Sequence, residues 1–103
     1  MFYVSTEFRR GVFFVRVRGR IDNEGYLDDI DRIIDSIGIK FVVLNIDHVH
    51  DLSIDSIKCI NDYNDKLLKK KCFLYLCDSN KNRERVFWLI PKINSEIEAF
   101  SLI

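Results

Sequence analysis

Glycine is scarce. Gly11, Gly19, Gly25 and Gly38 stand too far apart to build the phosphate-cradling loops of nucleotide-binding proteins. No apolar run approaches the roughly 18 residues of a membrane span, and the first residues lack the charged, apolar and small-residue succession of a signal peptide. Net charge is missing too: 16 Lys and Arg balance 16 Asp and Glu, so no overall field draws the chain toward nucleic acid or an anionic membrane. The three cysteines, Cys59, Cys72 and Cys77, are odd in number and lie inside apolar runs. They read as reduced, buried thiols, and the expected compartment is the cytoplasm. Repeats, linkers and low-complexity tracts are absent from the sequence. Any partner must be found by local shape and charge.

What is present is a core. With 48% apolar and 13% aromatic residues in 103, the chain can bury an interior without metal or disulfide staples. Residues 1–103 have room for a single domain, since domains usually run to about 100 to 150 residues.

Period-two patterning opens the chain. Phe2, Val4 and Thr6 share one face of a strand that ends at Arg9-Arg10-Gly11, and Val12 to Arg18 alternates again, giving a hairpin. Phe13, Val15 and Val17 oppose Phe14, Arg16 and Arg18, as expected of a sheet covered on one side only. Leu27, Ile30, Ile33, Ile34 and Ile37 then recur at helical spacing, with Gly38 as the stop. Phe41 to Ile46 reads as an interior strand buried on both faces. Ser53 is the candidate N-cap of a helix carrying Ile54, Ile57, Ile60, Tyr63, Leu67 and Leu68, closed by Lys69, Lys70 and Lys71. Cys72 to Cys77 gives a strand and Asn82 to Ile90 a short helix stopped by Pro91. Ile97 to Ile103 gives a last strand or turn. The order implies an α/β fold with a mixed sheet of four to five strands, starting with a β-hairpin, and helices mainly on one side.

Chemistry has few carriers. His48 and His50, flanked by Asp47 and Asp51, could bind zinc or move protons, but no third and fourth ligand stands at a recognisable distance. They read as solvated loop residues after a buried strand. Cys72 and Cys77 fall on opposite faces of one strand, which suits core packing rather than a CxxC pair. Arg9, Arg10, Arg16, Arg18 and Arg20 form a basic stretch; with Phe14 it is compatible with RNA, but a solvated sheet edge explains it in a neutral chain. No Ser, His and Asp arrangement has diagnostic context, so no enzyme, metal or cofactor is expected.

The passage from Val43-Leu44-Asn45-Ile46-Asp47 through Asp51-Leu52-Ser53-Ile54-Asp55-Ser56-Ile57 resembles the STAS domain family, named for sulfate transporters and anti-sigma factor antagonists. There, a strand ending in a "VLNL"-like run is followed at this spacing by "DSSGL" opening a helix. Val17-Arg18-Gly19-Arg20-Ile21-Asp22 is similar to the family's "LxGELD" segment. Leu74 to Cys77 and Arg85-Val86-Phe87 fall at its next strand and third helix. The length suits a minimal core of the family, with little room for the extra C-terminal helix common in it.

The resemblance implies a non-catalytic, bacterial, cytoplasmic module of transcription regulation. In the antagonists, the first serine of "DSSG" is phosphorylated by the anti-sigma factor, a serine kinase, and the unphosphorylated form captures that kinase and frees a sigma factor. Here Ser53 stands in the Asp position, Ile54 in the phosphoserine position, Asp55 in the second serine position and Ser56 in the glycine position. Ser53 and Ser56 are the candidates for a displaced phosphoacceptor. An isoleucine at this point is either folded inward or offered to another protein. The expected partner surface comprises Asp22, Asn23, Asp51, Ser53, Ile54, Asp55, Ser56 and Lys58, beside Asn61 and Asp62. Docking on a transporter component, as a STAS subunit of a membrane transport complex, is the alternative role.

Overall fold

The computed structural model describes residues 2–21, 25–83, 86–87 and 89–102. Strands β1 (Phe2–Arg9) and β2 (Val12–Arg20) form an antiparallel hairpin in unbroken register from Phe2↔Gly19 to Arg9↔Val12. Its two-residue turn places Arg10 at φ 52° and Gly11 at φ 84°. Positive φ at both positions matches the twist of the flanking strands, and glycine supplies the second at no steric cost.

Helix α1 (Gly25–Ile37) buries Tyr26, Leu27, Ile30 and Ile34. Gly38 ends it at φ 77°, which lets the amides of Gly38 and Ile39 reach the Ile34 carbonyl at 2.8 and 3.2 Å. Strand β3 (Phe41–Asp51) then runs parallel to β2, and α2 (Ile54–Lys69) leads to β4 (Phe73–Cys77), parallel to β3. A two-residue β5 (Lys92–Ile93) completes a five-stranded sheet in the order β1-β2-β3-β4-β5.

The front face of this sheet carries the larger core. Phe13, Val15 and Val17 of β2, Val42, Leu44 and Ile46 of β3, and Leu74 and Leu76 of β4 meet Leu27, Ile30 and Ile34 of α1 and Ile60, Tyr63 and Leu67 of α2. Asp31 locks the helices together at their edges. Its carboxylate accepts from Lys70 Nζ at 2.8 Å and from the Tyr63 hydroxyl at 3.2 Å, and lies 3.0 Å from Lys66 Nζ.

The back face departs from the sequence expectation of one-sided cover. Val12, Phe14, Val43, Cys77 and Ile93 form a second buried cluster with Ala99, under a 3-10 helix at Glu96–Ser101. Phe14, expected beside Arg16 and Arg18 on an open face, is 2% exposed and meets the Phe100 ring edge-on at 5.6 Å. Arg16 is half-buried rather than a free edge charge. It donates to Glu96 Oε1 at 2.7 Å and Glu7 Oε1 at 2.8 Å, and Asn45 Nδ2 donates to Glu96 Oε2 at 2.7 Å. Of the strand or turn expected at the terminal segment, the structure has 3-10 turns, which cover Val12 and Val43.

Two further elements differ from the sequence expectation. His48 and His50 are solvent-exposed but lie within β3, not in a loop; β2 pairs on through Arg18↔His48, Gly19↔Val49 and Arg20↔Asp51, with two register shifts that absorb the polar residues. Asn82–Ile90 is not a helix among its described residues. Lys81–Arg83 is one 3-10 turn, followed by isolated contacts from Val86 N–H to Arg83 O and Ile90 N–H to Phe87 O. Phe87 and Ile90 are buried anchors, too few for an amphipathic stripe.

Candidate functional site

The site is built on the overhang of β3. Pairing with β4 ends at Asn45↔Cys77, whereas pairing with β2 continues to Arg20↔Asp51, so residues 46 to 51 have a strand on one side only. Arg83 occupies the other side. Its guanidinium donates to the carbonyls of Ile46, at 3.3 Å, and Val49, and its Nε lies 3.8 Å from the fully buried Asp78 carboxylate. Asp47 adds a second tie, accepting from the Ser79 amide at 2.6 Å. The Arg83 contacts satisfy carbonyls that a departing β4 would leave bare, and the Asp47 contact satisfies the Ser79 amide. No sequence signal announced Arg83, because an arginine that replaces a strand has no fixed spacing from the carbonyls it serves.

From the overhang the chain turns through Leu52 into α2. Ser53 is extended at φ −73°, ψ 160°, and its Oγ accepts from the Ser56 amide at 3.1 Å and donates to Ser56 Oγ at 3.0 Å. Its carbonyl takes the first helical bond from Ile57 N–H. Ser53 is therefore the N-cap that the sequence indicates.

The first turn sorts its side chains sharply. Ser56 is 1% exposed, and Leu52, Ile57 and Cys59 pack against the main core. Ile54 is 84% exposed, and Asp55 and Lys58 also face solvent. Ile54, Lys58 and Asn61 fall at i, i+4 and i+7, on one helical face. Asn61 Nδ2 donates to the Val86 carbonyl at 3.0 Å, which brings the exposed Val86 side chain up to α2. Asp62 is exposed beside them. Across the mouth of the sheet, Asp51 pairs with Arg20 at 3.4 Å, and Arg20, Ile21, Asp51 and Ser53 line a shallow cleft of about 280 Å³. Asp22 and Asn23 lie outside the described residues.

The structure thus brings Asp51, Ser53, Ile54, Asp55 and Lys58 to one end of the molecule, with Ser56 beneath them. The other chemical candidates stand apart. Cys72 belongs to the front cluster and Cys77 to the back one. Burial pushes the Cys72 thiol up, and burial with the neighbouring Asp47 carboxylate pushes Cys77 up to about 12, so neither is a thiolate near neutral pH. Among the described residues, no three His, Cys, Asp or Glu side chains converge as metal ligands. None of their helices is long and apolar enough to cross a membrane.

Comparison with solved structures places this architecture. The anti-sigma factor antagonist SpoIIAA in its unphosphorylated form superposes with a TM-score of 0.78, over 99% of this chain and 96% of that one, at 16% identity. An anti-sigma factor antagonist from Mycobacterium paratuberculosis gives 0.78 over 100% and 94% at 19% identity. A DUF3478-family protein with a SpoIIAA-like fold from Shewanella loihica gives 0.61 over 98% and 92% at 14% identity. At such identities the likeness is one of fold. No curated protein matches the chain. The STAS domain model matches residues 3–94, which takes in β2 to β5, both helices and nearly all of β1, and the chain belongs to the STAS domain family.

Proposed function

We propose that this protein is a non-catalytic docking module resembling an anti-sigma factor antagonist, and that it captures a regulatory partner such as an anti-sigma factor kinase. The docking surface is the end of the molecule formed by Asp51, Ser53, Ile54, Asp55 and Lys58. STAS domains bind protein partners, and folds of this kind are generally interaction modules rather than enzymes.

One observation carries the reading. Ile54, which the family resemblance sets at the antagonists' phosphoserine position, is 84% exposed on the first turn of α2. A large aliphatic side chain held in water by a rigid helix end gains about 1.5 to 3 kcal/mol when a partner covers it. The helix that presents it is anchored behind by Ile57 and Ile60, so the surface is set before the partner arrives. Control by phosphate would have to act elsewhere. Of the two nearby hydroxyls, Ser53 is exposed, whereas Ser56 is buried beneath the cap.

The test is titration calorimetry against anti-sigma factor kinases encoded by the same genome, with the wild type and Ile54→Asp. Since Ile54 makes almost no contact within the fold, the variant should unfold at the same urea concentration as the wild type. Binding should weaken at least a hundredfold, because a carboxylate would be buried without a partner. Equal affinity of the two proteins would remove this surface. Incubation with the bound kinase and ATP, followed by mass spectrometry, should leave Ser56 unmodified.

A further inference from the structure

We propose that the open part of the sheet's back face binds a small phosphomonoester of an aromatic ring. The 3-10 helix at Glu96–Ser101 covers Val12, Phe14 and Val43 and stops at the row Ser5–Arg16–Asn45. The next row lies beyond that helix. There Tyr3, Arg18 and His48 are direct cross-strand partners on β1, β2 and β3, and all three are exposed. They line a cleft of about 580 Å³, walled on one side by Asn45 and Glu96. Its volume lies within the range of about 300 to 1,000 Å³ found for small-molecule sites.

Charge makes the site specific. The acids around the cleft are already engaged: Glu7 and Glu96 hold Arg16, and Asp51 faces Arg20. Arg18 and His48 have no ion pair or hydrogen bond of their own among the described residues. They are register partners on adjacent strands and line the same cleft, so both heads can converge on one anion. A guanidinium fork takes two oxygens of that anion and an imidazole N–H a third. A phosphomonoester offers three terminal oxygens where a carboxylate offers two. The Tyr3 ring, 55% exposed and cross-strand to Arg18, supplies an aromatic surface beside the anion position for the attached ring. This site lies on a different surface from the first turn of α2 and does not rest on the docking reading.

The probes are phenyl phosphate, inorganic phosphate and benzyl alcohol, titrated into the isotopically labelled protein at low salt and followed by amide chemical shifts. Phenyl phosphate should move the amides of Tyr3, Arg18 and His48 and bind at least tenfold tighter than either other probe. Arg18→Gln should weaken it at least tenfold, and Tyr3→Ala should reduce it to the level of inorganic phosphate. Lys69→Gln, at the exposed far end of α2, should leave it unchanged. Equal binding of phenyl and inorganic phosphate, unaltered affinity in Arg18→Gln, or shifts centred on α2 would each overturn the proposal.

Discussion

The two faces of this sheet are covered by different amounts of chain. On the front, α1 and α2 lay two long apolar stripes over β2, β3 and β4 and produce one continuous cluster. On the back, the six residues Glu96–Ser101 cover a small cluster, end in the Arg16–Glu96–Asn45 hydrogen bonds, and leave the row beyond open. The front holds the fold together, and the thin back leaves polar side chains in reach of solvent. Removing cover should therefore cost more on the front. Leu76→Ala, at a fully buried front position, should destabilise by about 2 to 5 kcal/mol through lost transfer energy and the cavity left behind. Phe100→Ala on the back removes a half-buried ring that touches Phe14 and lies 5.6 Å from the Arg10 guanidinium. Its cost should be about 1 to 2 kcal/mol, below the 3 to 5 of a fully buried Phe. Urea unfolding of both variants checks the order, and a Phe100→Ala cost equal to that of Leu76→Ala would abolish the contrast.

The contrast also explains what could be read from the sequence. The front announced itself, because helical spacing from Leu27 to Ile37 and the apolar run Phe41–Ile46 repeat over several turns or residues. Gly38 and Ser53 marked helix ends through local chemistry, a positive φ and a side-chain cap. The back did not announce itself, because a six-residue 3-10 helix is too short for a period to show, and Phe14 looked like an outward residue until Phe100 was laid across it. The strand overhang was hidden for another reason. Asp47, His48, His50 and Asp51 are loop-like in composition, and Arg83, which serves the open edge of their strand, is distant in sequence and has no motif. Family likeness singled out Ile54, but its exposure required the fold.

A cap tests the edge where the two faces meet. Ser53→Ala removes the hydroxyl that bonds the Ser56 amide and Oγ at the mouth of the sheet. Loss of that bond should cost about 1 kcal/mol. Hydrogen exchange should quicken at Ser56 and Ile57 first and leave Val43 on the back face untouched. Equal acceleration on both faces would show that the cap supports the whole sheet rather than one helix end.

The smallest effect compares one carboxylate on each side. Glu96 on the back is held below the usual carboxylate range by hydrogen bonds from Arg16, against an opposing burial effect, with further help from Asn45. For Asp31 on the front, burial pushes upward, but the bonds from Lys70 and Lys66 outweigh it and the carboxyl ends below its ordinary value. Both groups bind protons less readily folded than unfolded. Their stabilisation is therefore complete above the ordinary values of 4.5 and 3.8 and disappears as pH falls through the lower folded-state values. Each is worth about 0.5 kcal/mol, since ion pairs with partly exposed partners are screened. Urea midpoints measured from pH 7 down to pH 2.5 should fall across this window, and Asp31→Asn and Glu96→Gln should each flatten part of the fall. The distinction lies in where the loss is felt: Glu96→Gln should speed exchange at Val43 and loosen Phe100, whereas Asp31→Asn should loosen α1 against α2 and leave the back cluster intact. If both variants loosened the same face, the two covers would be one cooperative unit and the division drawn between them would fail.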